Sequence, residues 1–142
     1  QRLKTEEQKQ LGWSAKRELT KINYRIHTDA IKNNLIPSEV TPEQKAYIYA
    51  DEADMLNVIL FGQTAKQWRD ANPGKKGNMR DYASITQLLI LANLESYNAV
   101  LINQGKDQQD RMKLLRALVI QQLHALDEVN PKALPGYTSE TP

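Results

Sequence analysis

Five cations gather between positions 64 and 82: Lys66, Arg69, Lys75, Lys76 and Arg80, around Trp68, Tyr82 and a Gly-Lys-Lys-Gly turn. Cations beside stacking rings can hold phosphates or single-stranded bases. The competing reading makes Trp68 a core plug with its lysines left in water. A second basic row, Arg17, Lys21 and Arg25, recurs every fourth residue of a helical pattern and offers another contact to phosphate, with a solvated face the favoured reading. Asp51-Glu52-Ala53-Asp54 spells the acidic motif of nucleic-acid helicases, yet no G-x-x-x-x-G-K-[ST] loop accompanies it. The quartet falls inside a helical pattern, so a solvated helical face is expected there. His27 and His124 are the two histidines, and neither has a second ligand at H-E-x-x-H spacing. A structural or exposed role is expected for both, and no metal or cofactor is called for. Asn93, Glu95, Ser96 and Asn98 are polar residues in the most apolar helical segment. Desolvation without partners is costly, so Asn93, Glu95 and Asn98 are expected in a buried polar network. For Glu95 the candidate partners are Arg69, Arg80 and Arg116. No nucleophile–base pair or paired carboxylates can be argued for, and an enzyme is not expected.

The elements that must position these residues are legible from their ends. Thr41-Pro42-Glu43-Gln44 combines an N-cap hydroxyl, Pro at the first helical position and Gln three residues after the cap. Thr64-Ala65-Lys66-Gln67 and Ser84-Ile85-Thr86-Gln87 repeat the pattern, and Asp107-Gln108-Gln109-Asp110 is a weaker form. Stops stand at Pro37, Gly62, Asn72-Pro73-Gly74, Gly105 and Asn130-Pro131. These signals predict five helices, near 5–35, 42–61, 65–72, 84–104 and 108–127, with a Gly/Lys-rich loop at about 73–80. No stretch alternates long enough to argue for a strand.

The expected architecture is all-α: a compact bundle of about five helices with a long N-terminal helix, forming one domain over 1–130, then a loose tail over 131–142. Helix 84–104 takes the centre. Ile85, Leu88, Leu89 and Ala92 make one apolar stripe and Leu91, Leu94 and Leu101 another, so cover is expected on more than one side. Helix 108–127 offers Met112, Leu115, Leu118, Val119, Leu123 and Leu126 as its antiparallel partner through Gly105. The first helix carries Leu11, Ala15, Leu19, Ile22, Ile26 and Ala30 at three- and four-residue spacing. Its length of about 45 Å suits a connector or one arm of a dimer.

Composition bounds the partners. With no cysteine, disulfides and thiolate chemistry are excluded. The longest apolar run, 88–92, is far short of a bilayer span, so no membrane partner and a cytoplasmic location are expected. The net charge of +2 is divided into blocks of +4 over 1–37, −4 over 38–63, +3 over 64–82 and −1 over 83–142. Alternating blocks suit internal docking or an isologous dimer at least as well as a DNA face.

Three stretches, 8–37, 49–78 and 79–102, with the runs WSAKRELTKINYRIHTDAI and FGQTAKQWRDANP at their centre, resemble the C-terminal region of KilA-N domain proteins of bacteria and phages. The resemblance implies that a DNA-binding module precedes Gln1, which itself stands within a helical register without an initiator Met. It carries no catalytic residues onto this chain. The expectation is an accessory C-terminal domain serving oligomerisation, protein interaction or regulation, most readily as a homo-oligomer, with DNA held through the preceding module. The alternative is direct contact with the nucleic-acid backbone through the basic segment 64–82.

Overall fold

The computed structural model describes the backbone of residues 2–129 and the side chains of residues 17–126. Its elements are α1 (Arg2–Asn34), α2 (Pro42–Phe61), α3 (Ala65–Ala71), a 3₁₀ turn (Met79–Tyr82), α4 (Ile85–Asn103) and α5 (Gln108–Val129). The protein is an all-α bundle with a long N-terminal helix, and no strand occurs among the described residues. The tail expected at 131–142 and the side chains of Leu11 and Ala15 lie outside the described residues.

The helix ends form where local chemistry dictates. Thr41, Thr64 and Ser84 each accept a hydrogen bond from the backbone N–H three residues on, at 3.0–3.1 Å, and the Gln there accepts from the cap N–H. Two otherwise unpaired donors are satisfied at each start. Asp107 caps α5 through the Asp110 N–H at 2.9 Å. A fourth reciprocal box, Asn78 with Asp81, starts a 3₁₀ turn inside the expected loop. Gly62 ends α2 in the left-handed region at φ 78°, donating to the Val58 carbonyl at 2.9 Å, a conformation open to glycine at little cost.

α4 sits between the other long helices. Its Ile90, Leu91, Leu94 and Leu101 are buried with Met55 and Leu56 of α2 and Leu115 and Val119 of α5. A second cluster joins Ala30 and Ile31 of α1 to Ala99 and Ile102 of α4, with Ile48 and Tyr49 of α2 packed against it. Hydrogen bonds set the directions. Asn34 reaches Asn103 at 2.8 Å and His27 meets Asn98 at 2.8 Å, so α1 and α4 run the same way. Asn93 reaches Gln122 at 3.1 Å and Arg111 reaches Asn98 at 2.8 Å, so α5 runs antiparallel to α4, as the Gly105 turn requires. The length and apolar composition of α4 suit either a bilayer span or a bundle's core helix; here it packs against α1, α2 and α5.

One expectation about α4 fails. Of its two apolar stripes, the one through Leu91, Leu94 and Leu101 is covered, but Ile85 and Leu89 of the other lie open to solvent. α1, α2 and α5 pack against α4, and among the described residues none covers Ile85 or Leu89.

Candidate interaction surface and buried polar cluster

Each long helix carries at least one polar residue in phase with its apolar stripe. His27 precedes Ala30 and Ile31 by three and four residues, Glu52 precedes Met55 and Leu56 likewise, and Arg111 precedes Leu115 by four. Asn98 stands between Leu94 and Leu101 on α4. Burying those stripes therefore carries all four inward, to 5, 3, 2 and 0 % exposure respectively for His27, Glu52, Arg111 and Asn98.

They satisfy one another. Arg111 grips Glu52 two-handed, Nη1 to Oε1 at 2.5 Å and Nη2 to Oε2 at 3.1 Å, and its Nε donates to the Lys106 carbonyl at 3.1 Å. Arg111 Nη1 also donates to Asn98 Oδ1 at 2.8 Å, which fixes the amide's orientation. Asn98 Nδ2 then donates to Glu52 Oε1 at 3.1 Å and to His27 Nε2 at 2.8 Å. His27 must accept at Nε2, so its ring is neutral with the proton on Nδ1. Gln108 closes the rim, donating at 2.9 Å to both Glu52 Oε2 and Asp51 Oδ2.

Electrostatics agree with that assignment. Burial lowers the His27 imidazolium to about 4, with Glu52 opposing and Arg111 and Arg80 adding to the depression. For Glu52, burial pushes the carboxyl up, but hydrogen bonds from Arg111 and Asn98, the Arg111 charge and Gln108 outweigh it and hold it below the usual range. The carboxylate is thus ionised and already coordinated, which leaves it poorly placed for proton transfer. Among the described residues no three His, Asp or Glu side chains are grouped to hold a metal ion.

The Asp51–Asp54 quartet is therefore not a solvated face: Glu52 is buried and the other three are half-buried, because Glu52 follows the α2 stripe. The three residues expected to share one network have separate partners. Asn98 belongs to the cluster above, half-buried Asn93 pairs with Gln122, and Glu95 lies 3.7 Å from Arg80. Burial raises the Glu95 carboxyl, with Arg80 opposing. His124 is exposed.

The basic segment is a built loop. Arg69 lies 4.8 Å over the Trp68 ring and donates to the carbonyls of Asn72 at 3.3 Å, Lys75 at 2.6 Å and Gly77. Tyr82 stacks on Trp68 at 5.4 Å and donates to the Lys76 carbonyl at 2.7 Å, while Lys75 Nζ stands 5.0 Å over its ring. Gly77 takes φ 83° against the Asp81 carboxylate, where a Cβ would collide. Three of the five candidate cations thus have structural partners: Arg69 holds the loop's carbonyls, Arg80 faces Glu95 and Lys75 lies over the Tyr82 ring. Lys66, Lys75 and Lys76 are exposed. Trp68 is 7 % exposed and packs as core, while Tyr82 shows half its surface.

The remaining feature is apolar and outward. Leu19, Ile22 and Ile26 of α1 are 63, 52 and 45 % exposed, and Ile85, Leu89 and Val100 of α4 are 71, 50 and 46 % exposed. Ile31 of α1 is buried in the cluster that Ile48 and Tyr49 of α2 pack against, and Leu94 and Leu101 of α4 are buried with side chains of α2 and α5. At 100° per residue both exposed rows fall on the opposite side of their helices, so together they make one face of the α1–α4 pair. Elsewhere a shallow groove of about 460 Å³ is lined by Pro37, Val40, Glu43, Gln44, Tyr47 and Ile48. Comparison of the chain with protein-family models, with curated proteins and with solved structures found no match.

Proposed function

We propose that this chain is a non-catalytic, all-α accessory domain that associates with a second copy of itself and thereby pairs two DNA-binding modules of the KilA-N type. The observation that carries this reading is the uncovered apolar face of α1 and α4. Six large side chains open by about half or more amount to on the order of 500 Å² of apolar surface, toward the top of the range for a monomer's largest patch. A standard interface takes about 800 Å² from each partner, so this face with a polar rim is of the right size. The buried polar cluster supports the non-catalytic part, since its donors and acceptors are directed at one another rather than at a cleft.

Sedimentation equilibrium on the chain tests the reading. A concentration-dependent dimer that a charge at Ile22 or Leu89 disrupts is the expected result; a monomer at hundreds of micromolar overturns it. A second reading, contact with the nucleic-acid backbone, is favoured by exposed Lys66 of α3 and exposed Lys75 and Lys76 of the loop that follows it. It predicts binding that falls steeply with salt and on removal of Lys75 and Lys76.

A further inference from the structure

We infer that the second copy docks by a two-fold in which α1 packs antiparallel on its counterpart close to Ile22, with Glu18 of each chain against Arg25 of the other. The inference rests on the self-association reading and specifies its geometry. Leu19, Ile22 and Ile26 follow the three–four spacing of a helix–helix seam, with Ile22 in the middle. Glu18 and Arg25, both exposed, stand seven residues apart and hence on one flank of that row, the flank away from α4. They carry opposite charge and lie nearly equidistant from Ile22 along the helix. An antiparallel two-fold there exchanges them, so each interface holds two reciprocal pairs. A parallel two-fold would instead set this flank of one helix against the α4 flank of the other, leaving Glu18 and Arg25 without reciprocal partners. The ion pair Glu18 now makes with Lys21, at 3.6 Å, is solvent-exposed on both sides and yields at little cost.

α4 fits the same arrangement. The His27–Asn98 and Asn34–Asn103 contacts fix the level of α1 against α4 and put Ala92 and Ser96 beside the row centred on Ile22. Small residues there, between Leu89 and Val100, lower the α4 surface where two copies would otherwise collide.

The chain has no cysteine, so a single introduced thiol reports its own neighbours. Ile22→Cys places two thiols near the two-fold, within the roughly 4–7 Å between Cα atoms that a disulfide needs. Tyr24→Cys, on the opposite side of the same helix and also exposed, is the control. In a glutathione redox buffer the first variant is expected to become a covalent dimer and the second to stay a single chain. Glu18→Arg and Arg25→Glu should each weaken the dimer about five- to tenfold, because two attractive pairs become repulsive, and the double exchange should restore it to within about threefold. A wild-type dimer whose Ile22→Cys form does not cross-link, with no rescue by the double exchange, overturns this geometry and leaves self-association standing. A monomeric wild-type chain overturns both.

Discussion

Two regions of the molecule invert the usual arrangement of polar and apolar groups. Beneath α1, α2, α4 and α5 lie an imidazole, a carboxylate, an amide and a guanidinium, each nearly or wholly buried. On the far side of α1 and α4, six large aliphatic side chains face water. The first inversion is stable because every group points at another: the bidentate Arg111–Glu52 contact and the threefold-bonded Asn98 replace the water each group gave up. The second has no such compensation among the described residues. Buried polarity here fixes which helices meet and at what level, whereas the exposed apolar face is the surface we propose a second copy covers.

Breaking the first region should have the largest effect. Arg111→Met strands Glu52 in the interior, and the loss in unfolding free energy should be about 3–5 kcal/mol in a urea titration. Adding Glu52→Met should recover much of it, since a buried ion pair replaced by apolar groups of similar volume is close to neutral. A double variant as unstable as the single would show that the cluster supplies net stability as well as register.

Acid acts on the same region more gently. The folded-state value of His27, about 4, lies below its unfolded value of 6.5. From pH 6.5 downward the unfolded chain takes up a proton that the folded chain refuses. His27 therefore costs nothing above pH 6.5, and stability falls as pH drops toward 4, by about 3 kcal/mol at ~1.4 kcal/mol per tenfold. Glu95, raised, works the other way just above pH 4.5, and Glu52, lowered, adds a loss below 4.5. His27→Gln, which retains an acceptor for Asn98, isolates the histidine. The difference between its pH–stability curve and that of the wild type should carry the slope between pH 6.5 and 4.

The second region should respond in association rather than folding. Ile22→Asp is expected to raise the dimer dissociation constant about a hundredfold, as removal of a central anchor does, while the unfolding free energy of dilute monomer stays within about 0.5 kcal/mol. Equal losses in both measurements would merge the two regions and abolish the distinction drawn between them. The smallest effect belongs to the basic loop. Arg69→Ala should lower stability by about 1–2 kcal/mol and release amide protection locally over 72–82, because the arginine's bonds are to nearby carbonyls.

How much was legible follows from the range of each interaction. The capping boxes at Thr41, Thr64 and Ser84 close over three residues, so their hydroxyl and amide partners are written side by side in the chain. The Asn78–Asp81 box has the same spacing but stands in a Gly/Lys-rich segment, where an irregular loop was the simpler expectation. The buried cluster joins positions separated by 13 to 71 residues. Its signal was present in each helix separately, as a polar residue in phase with the apolar stripe, but Glu52 was masked by its acidic neighbours. Arg69, Arg80 and Arg116 were equivalent candidates for Glu95 in sequence, and only the chain's path gave Arg80 that carboxylate and turned Arg69 onto the loop's carbonyls.

The sequence by itself determined the helices, their ends and the all-α class, because periodicity and capping are energies of neighbours along the chain. The tertiary structure decided the rest: that α1 and α4 run in parallel, that Glu52 goes inside, and that Ile85 and Leu89 stay out. Those outcomes depend on which stripes find covers of matching length, a competition among distant segments that no local window contains.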